Sequence, residues 1–342
     1  MQGKKGYLAA LLAQAGLAGA ARSARYVMGR HIPILAYHRI LEMGPEHEFL
    51  FDAELVSASP EQFRWQMEYL ARHYDPITVS DLLDGIAGNR LPRRPVIVTF
   101  DDGFEDNYRV AYPILRKSGV PATFFVSTGY IGGPQTFWFD EVVYRIRSAT
   151  GDRLVLPSVG LTLALGSGSR KEVAGVVLRR LKEVSDAQRR MALDELRVAT
   201  PEGADVDGRA ESRVMTWEQV EGMARGGMEI GSHTVTHPIL SRVDRASVDH
   251  ELRASREAIE GAVGRKVRAL SYPVGGVAGF NEMVQEAAAA SGYDMAVSYI
   301  SGTNPLRSMQ PYAMRRIHVE RYVGRAGFAA MLAVPEVFAL GR

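Results

Sequence analysis

The chain has 342 residues, 46% of them hydrophobic and 23% charged, with 41 Lys and Arg against 39 Asp and Glu. This is a globular composition, and it excludes a disordered or fibrous protein; the basic residues are scattered, which excludes a nucleic-acid footprint or a polybasic membrane patch. There is no cysteine, so disulfides, thiol nucleophiles and thiolate metal sites are excluded, and any metal falls to His, Asp and Glu.

Residues 1–31 combine Lys4 and Lys5 with an apolar stretch from Tyr7 to Ala20, a pattern compatible with a secretory signal. The stretch is rich in Ala and Gly, is interrupted by Gln14, and sets Leu8, Leu11, Leu12 and Leu17 at roughly helical spacing. An N-terminal helical segment on a cytoplasmic or membrane-peripheral protein is therefore expected, with export through a weak signal as the alternative. It falls short of the roughly 20 apolar residues that a membrane span needs.

Seven β-rich runs follow: IPILAYHRI (32–40), PVIVTF (95–100), PATFFVS (121–127), MEIGSH (228–233), VRALSYP (267–273), DMAVSYI (294–300) and YAMRRIHV (312–319). Helical stretches separate them. In SPEQFRWQMEYLARHY, Ser59 can cap, Pro60 takes the first helical position, and Phe63, Met67 and Leu70 share a face. EDNYRVAYPILRKSG ends on Gly119, a helix stop. Strands alternating with helices imply a parallel α/β sheet, and seven of them a barrel. Residues 141–212 break the alternation and read as an insertion of one or two helices and a polar loop. The expected organisation is an N-terminal segment 1–31, a barrel over 32–325 with a helical insertion at about 141–212, and a C-terminal helix or tail over 326–342.

Reactive side chains of α/β barrels sit at the carboxyl ends of the strands, where Asp101 and Asp102 follow PVIVTF. One aspartate before a helix is ordinarily a cap. A second is redundant and repulsive, so a positive partner is expected. MEIGSHTVTHP supplies His233 and His237; if the chain turns helically there, the i, i+4 spacing puts both on one side. Two imidazoles and one carboxylate make a three-ligand site with an open fourth position, the pattern of catalytic rather than structural zinc. One aspartate then binds the metal and its neighbour acts on the metal-bound water, which implies metal-assisted hydrolysis of an amide or ester. Zinc suits the donor set, and cobalt or nickel also bind such a site.

TFDDG (99–103) and SHTVTHP (232–238), with LAYHRI (35–40), SPEQFRWQMEYL (59–70), GVPATFFVSTGYI (119–131) and MTWEQVEGMARGGMEIGSHTVTHP (215–238), resemble the polysaccharide deacetylases, the NodB-type domain of carbohydrate esterase family four. The resemblance covers most of the chain. It implies a distorted (β/α)7 TIM-like barrel, a divalent metal and an N-acetylhexosamine-containing glycan substrate. It assigns Asp101 as the general base that activates a metal-bound water, and Asp102, His233 and His237 as metal ligands. The implied reaction removes acetyl groups from N-acetylated, occasionally O-acetylated, sugars.

The third motif departs from the family pattern. In SYPVGG (271–276), Ser271 stands where an arginine usually orients the base, and the turn offers Tyr272 and Val274 as substrate or oxyanion residues. Arg316 is a candidate replacement. It shares a strand face with His318 by alternation, and Ile317–His318 is a degraded match to the family's final Leu-x-His, whose imidazole is the general acid. Trp138 in TFWFDE is a candidate for stacking on a sugar, and His38, at the end of the first strand, a candidate at the rim. Two readings compete on the same barrel: an idle carbohydrate-binding protein, and a metal-dependent amidohydrolase acting on a non-carbohydrate acyl group.

Overall fold

The computed structural model describes residues 31–166 and 169–338. The N-terminal segment expected over 1–31 lies outside them except for His31, as do the last four residues of the expected C-terminal tail. Among the described residues no helix is long and apolar enough to cross a membrane.

Every one of the expected β-rich runs forms a barrel strand: β1 (Ile34–Tyr37), β2 (Pro95–Phe100), β3 (Thr123–Val126), β4 (Glu229–Ser232), β5 (Ala269–Ser271), β6 (Met295–Ser301) and β7 (Met314–His318). The strands run parallel in the order β1-β7-β6-β5-β4-β3-β2, and β2 closes the ring on β1 from Ile34 opposite Ile97 to Tyr37 opposite Phe100. Both faces are covered. That is why β1, β2 and β3 read as near-continuous apolar runs and are buried at every position. The ring is distorted at one edge of β2, where the short strand Asp75–Ile77 pairs with its first half and β3 with its second.

Helices follow the strands. α1 (Pro60–His73) starts with a capping box between Ser59 and Gln62 and buries Phe63, Met67 and Leu70. α2 (Val79–Ala87) and α3 (Tyr112–Ser118) come next, and α3 stops at Gly119 in the left-handed region, with φ 65°. A π-turn at Asn107–Ala111 precedes Pro113, which has no N–H to give.

The segment between β3 and β4 holds α4 (Trp138–Ser148), α5 (Arg170–Glu183), α6 (Asp186–Ala199) and, before β4, α7 (Trp217–Arg225). It also holds an antiparallel hairpin, Arg153–Leu156 with Leu161–Ala164, where the sequence suggested only helix and loop. Each strand is four residues long, so only Leu154 and Leu156 register the alternation. These elements bury their own apolar cluster, separate from the barrel core, around Val142, Leu154, Val177 and Leu193. α8 (Arg245–Val263), α9 (Glu282–Ala290), α10 (Arg325–Ala333) and a four-residue helix, Pro335–Phe338, complete the described set.

Candidate active site

β2 delivers Asp101 and Asp102 to the carboxyl end of the barrel, both only 2% exposed. Asp102 has φ 74°, a left-handed conformation that Asp tolerates better than most residues. The neighbouring carboxylates face different partners as a result. Asp101 forms a two-pronged pair with Arg316 of β7: Nη1 donates to Oδ1 at 2.8 Å and Nη2 to Oδ2 at 2.6 Å. Asp102 Oδ1 lies 3.4 Å from Nε2 of His233 and 3.4 Å from Nε2 of His237. Each aspartate has the positive or polarisable partner that its like-charged neighbour demands.

The two histidines do not meet on a helix. Residues 233–238 are a loop, and positive φ at Thr234 (68°) and His237 (54°) folds it back so that both rings face Asp102. Glu251 of α8 holds this loop open, accepting the N–H groups of Val235 and Thr236 at 2.7 and 2.9 Å and the Thr236 hydroxyl at 2.6 Å. Sequence reasoning missed Glu251, since one glutamate among many on a charged helix carries no signal. His233 Nδ1 donates to the Ser271 carbonyl at 2.7 Å, which in the neutral ring fixes the tautomer and leaves the Nε2 lone pair facing the Asp102 side, available to a cation.

A divalent cation fits these residues. The donor atoms of Asp102, His233 and His237 lie within 4.8 Å of one another, all three side chains are buried, and Asp102 Oδ2 is buried without a hydrogen-bond partner among the described residues. A carboxylate and two imidazole nitrogens are a borderline donor set suited to first-row metals.

Arg316 is fully buried. Beyond Asp101 it donates from Nε to the Ser298 carbonyl (2.8 Å), from Nη1 to Thr99 Oγ1 (3.2 Å) and from Nη2 to Ser271 Oγ (3.1 Å). Ser271, in the usual arginine position, accepts from the arginine that reaches in from β7. Burial alone raises the Asp101 carboxyl, but the charge of Arg316, then that of His233, holds it below the usual carboxylate range.

These groups open into a cavity of about 240 Å³ lined also by His38, Trp138, Phe139, Tyr272, Val274 and Tyr299, with Leu178 and Lys182 contributed by α5. Tyr272 is buried, donates its hydroxyl to the Tyr312 carbonyl (2.9 Å) and stacks on Phe280. In the turn after β5, the N–H groups of Tyr272, Gly275 and Gly276 go to the carbonyls of Val297, Pro273 and Val274, and Pro273 has none. Among the described residues the Val274 N–H donates to no backbone carbonyl. Val274 has φ 63°, a strained value for a β-branched residue, of the kind found at functional sites. Gly275 is required beside it, because a Cβ there would lie 2.7 Å from the Tyr299 nitrogen.

His38 reaches the cavity, with Nε2 3.9 Å from Asp101 Oδ2. Its backbone is fixed at both ends: the N–H donates to Ser57 Oγ (3.0 Å) and the carbonyl accepts from Asn107 Nδ2 (2.7 Å). His318 does not line the cavity. Its ring lies flat on Tyr299, centroids 3.6 Å apart, and it is Tyr299 that reaches the wall. Burial, then the Arg316 charge, pushes the His318 imidazole down to about 3. Strand alternation does place His318 on the face of Arg316, but its ring stacks on Tyr299 and is not part of the cavity wall. Trp138 lines the cavity, but its Nε1–H is committed to the His237 carbonyl at 3.1 Å.

Asp140 lies beneath this region, fully buried, with Oδ1 accepting the Asp52 N–H at 3.2 Å. Burial raises its carboxyl to about 7, against the opposing charge of Arg39. A carboxyl whose folded pKa lies above its unfolded value, about 3.9, binds a proton on folding, so its stabilisation is complete below about pH 3.9 and is lost progressively as pH rises from there through 7. Asp140→Asn should therefore raise Tm relative to the native chain at pH 8 and lose most of that advantage by about pH 4. Melting curves at the two pH values check this; a difference in Tm that does not vary with pH contradicts it.

The sequence model of the family described as Polysaccharide deacetylase matches residues 88–153 and 190–296. YxkH of Bacillus subtilis is 22% identical over 303 residues, covering 88% of this chain and 76% of its own. The poly-β-1,6-N-acetyl-D-glucosamine N-deacetylase of Staphylococcus aureus is 33% identical over 105 residues, a match that spans 29% of this chain and 36% of that one. Among solved structures, the Streptococcus pyogenes deacetylase PplD superposes with a TM-score of 0.59 at 20% identity, over 92% of this chain and 100% of that one. IcaB from Ammonifex degensii does so with a TM-score of 0.52 at 18% identity, over 90% and 98%. The structural matches establish a shared fold, and the family match spans just over half of the residues. On that match, and with the aspartate pair and both histidines of its motifs gathered at one barrel end, the chain belongs to the polysaccharide deacetylase family.

Proposed function

We propose that this protein hydrolyses the acetamido group of an N-acetylhexosamine-containing polysaccharide or glycan precursor, with zinc as its cation. One observation carries the proposal: the Asp102–His233–His237 donor cluster lies beside an arginine-held Asp101 in a cavity. The name of the S. aureus relative, an N-deacetylase of poly-β-1,6-N-acetyl-D-glucosamine, supports an N-acetylated glucosamine polymer. When bound, the cation polarises the substrate carbonyl and lowers the pKa of water.

The chain's own residues do the rest. Asp101, kept ionised by Arg316, takes the proton of the attacking water. The Val274 N–H donates to the oxygen on which charge develops. His38, in the cavity wall near Asp101, protonates the departing amine, the role that the final-motif resemblance assigned to His318. Accordingly, His38→Ala should lower kcat by about 10²- to 10⁴-fold, whereas His318→Ala should cost far less. If steady-state kinetics find the larger loss in His318→Ala, the assignment reverses.

Incubation with N-acetylglucosamine oligomers tests the reaction class. Acetate and free primary amine should appear in equal amounts. Acetate without amine would mean O-deacetylation, and the absence of both would favour a different acyl substrate or a binding barrel.

A further inference from the structure

We propose that the inserted segment sets the metal affinity of the site through a relay from Arg189 to Trp138 to the backbone of His237. The inference rests on the metal assignment above. His237 and His233 are held differently. His233 is anchored through its ring, by the Ser271 carbonyl. His237 Nδ1 has no hydrogen-bond partner among the described residues, so the aim of its ring rests on its backbone and on packing. That backbone is in the left-handed region, φ 54°, and needs holding. Its N–H donates to Thr234 Oγ1 at 3.1 Å, inside the loop, and its carbonyl accepts from Trp138 Nε1 at 3.1 Å, from the inserted segment. The flanking Phe137 and Phe139 put their rings against the imidazole at 5.6 and 5.1 Å, both steeply inclined to it. Three successive residues at the start of α4 thus form the seat of one metal ligand.

Arg189 of α6 fixes that seat. It is 5% exposed, its guanidinium carbon lies 4.8 Å from the centroid of the Trp138 ring, and Asp186, one turn earlier on the same helix, pairs with it. A cation over the face of an indole restrains the ring plane, and so the direction of the Nε1–H. Arg189 is the last residue of the 154–189 stretch that the family match leaves out, so the contact comes from a part of this chain outside the shared pattern. Trp138 is on this account a positioning residue, its polar atom turned to His237 and away from a sugar.

The sign of the effect separates positioning from charge. If the positive charge of Arg189 were what counted, removing it would tighten the binding of a cation; loss of a positioning contact weakens it. The experiment measures zinc Kd by chelator competition, the visible spectrum of the cobalt-substituted protein, and Tm, in the native chain and in Trp138→Phe, Arg189→Met, Arg189→Lys and the Trp138→Phe/Arg189→Met pair. Trp138→Phe should weaken zinc binding by roughly 10- to 100-fold, the usual cost of losing a partner of a ligand. Arg189→Met should weaken it roughly 3- to 10-fold, with Arg189→Lys recovering most of the loss. The pair should be no weaker than Trp138→Phe alone, because both act on one carbonyl. The cobalt spectrum should shift in each weakened variant. An unchanged or tighter zinc Kd in Arg189→Met, whatever its Tm, overturns the relay, and so do losses that multiply in the pair. A native chain that binds no zinc overturns the metal assignment instead.

Discussion

Asp101→Asn is expected to lower kcat by about 10³-fold while leaving metal content intact. The amide has the shape of the carboxyl and stays within reach of Arg316 through its oxygen, but it cannot accept a proton from water. The proposed metal ligands Asp102, His233 and His237 are separate side chains, and the two histidines have their own anchors, at Ser271 and at the Glu251-held loop. The loss should therefore appear in kcat and kcat/KM together, the signature of an interaction made only in the transition state. Single-turnover rates with metal analysis on the same preparation check this. An Asp101→Asn enzyme that turns over normally removes Asp101 from the chemistry, and one that has lost its metal makes Asp101 a ligand.

Arg316→Met carries the second large effect, on stability as well as on rate. Arg316 is fully buried and gives Asp101 two parallel hydrogen bonds, so its removal strands an ionised carboxylate in the barrel. Breaking such a pair from one side typically costs about 3–5 kcal/mol, which is a fall in Tm on the order of 10 °C. Arg316→Lys should not rescue it, because a single ammonium cannot reproduce the fork that also reaches Ser271, Thr99 and Ser298. The Asp101→Asn/Arg316→Met pair should recover much of the stability and none of the activity. Thermal melts of the set decide the matter: equal Tm for Arg316→Met and the native chain would mean that the pair is not what holds this end of the barrel together.

The barrel was legible because its strands are apolar on both faces and its helices carry local stop and start chemistry, such as the Ser59 and Gln62 box and Gly119. The paired aspartates and the histidines were legible because like charges at a strand end and an HxxxH need a reason. What joins them was hidden. Left-handed backbone at Asp102, Thr234 and His237, none of them glycine, is set by tertiary hydrogen bonds such as those of Glu251 and leaves no composition signal. Strand alternation put Arg316 and His318 on one face but could not show that the histidine ring stacks on Tyr299. His38 could be placed at the rim by its position after β1, yet its approach to Asp101 depends on Ser57 and Asn107, which are distant in sequence. The hairpin in the inserted segment was invisible because its strands are too short to show a period.

Hydrolysis is expected to depend on a divalent cation held by Asp102, His233 and His237. The direct measurement is acetate release from N-acetylglucosamine oligomers by protein stripped with a chelator and then resupplied with stoichiometric zinc, run in parallel on the native chain and His233→Ala. The stripped protein should be inactive, and zinc should restore the native chain but not the variant. Undiminished release by stripped protein, or equal restoration of His233→Ala, would contradict the claim.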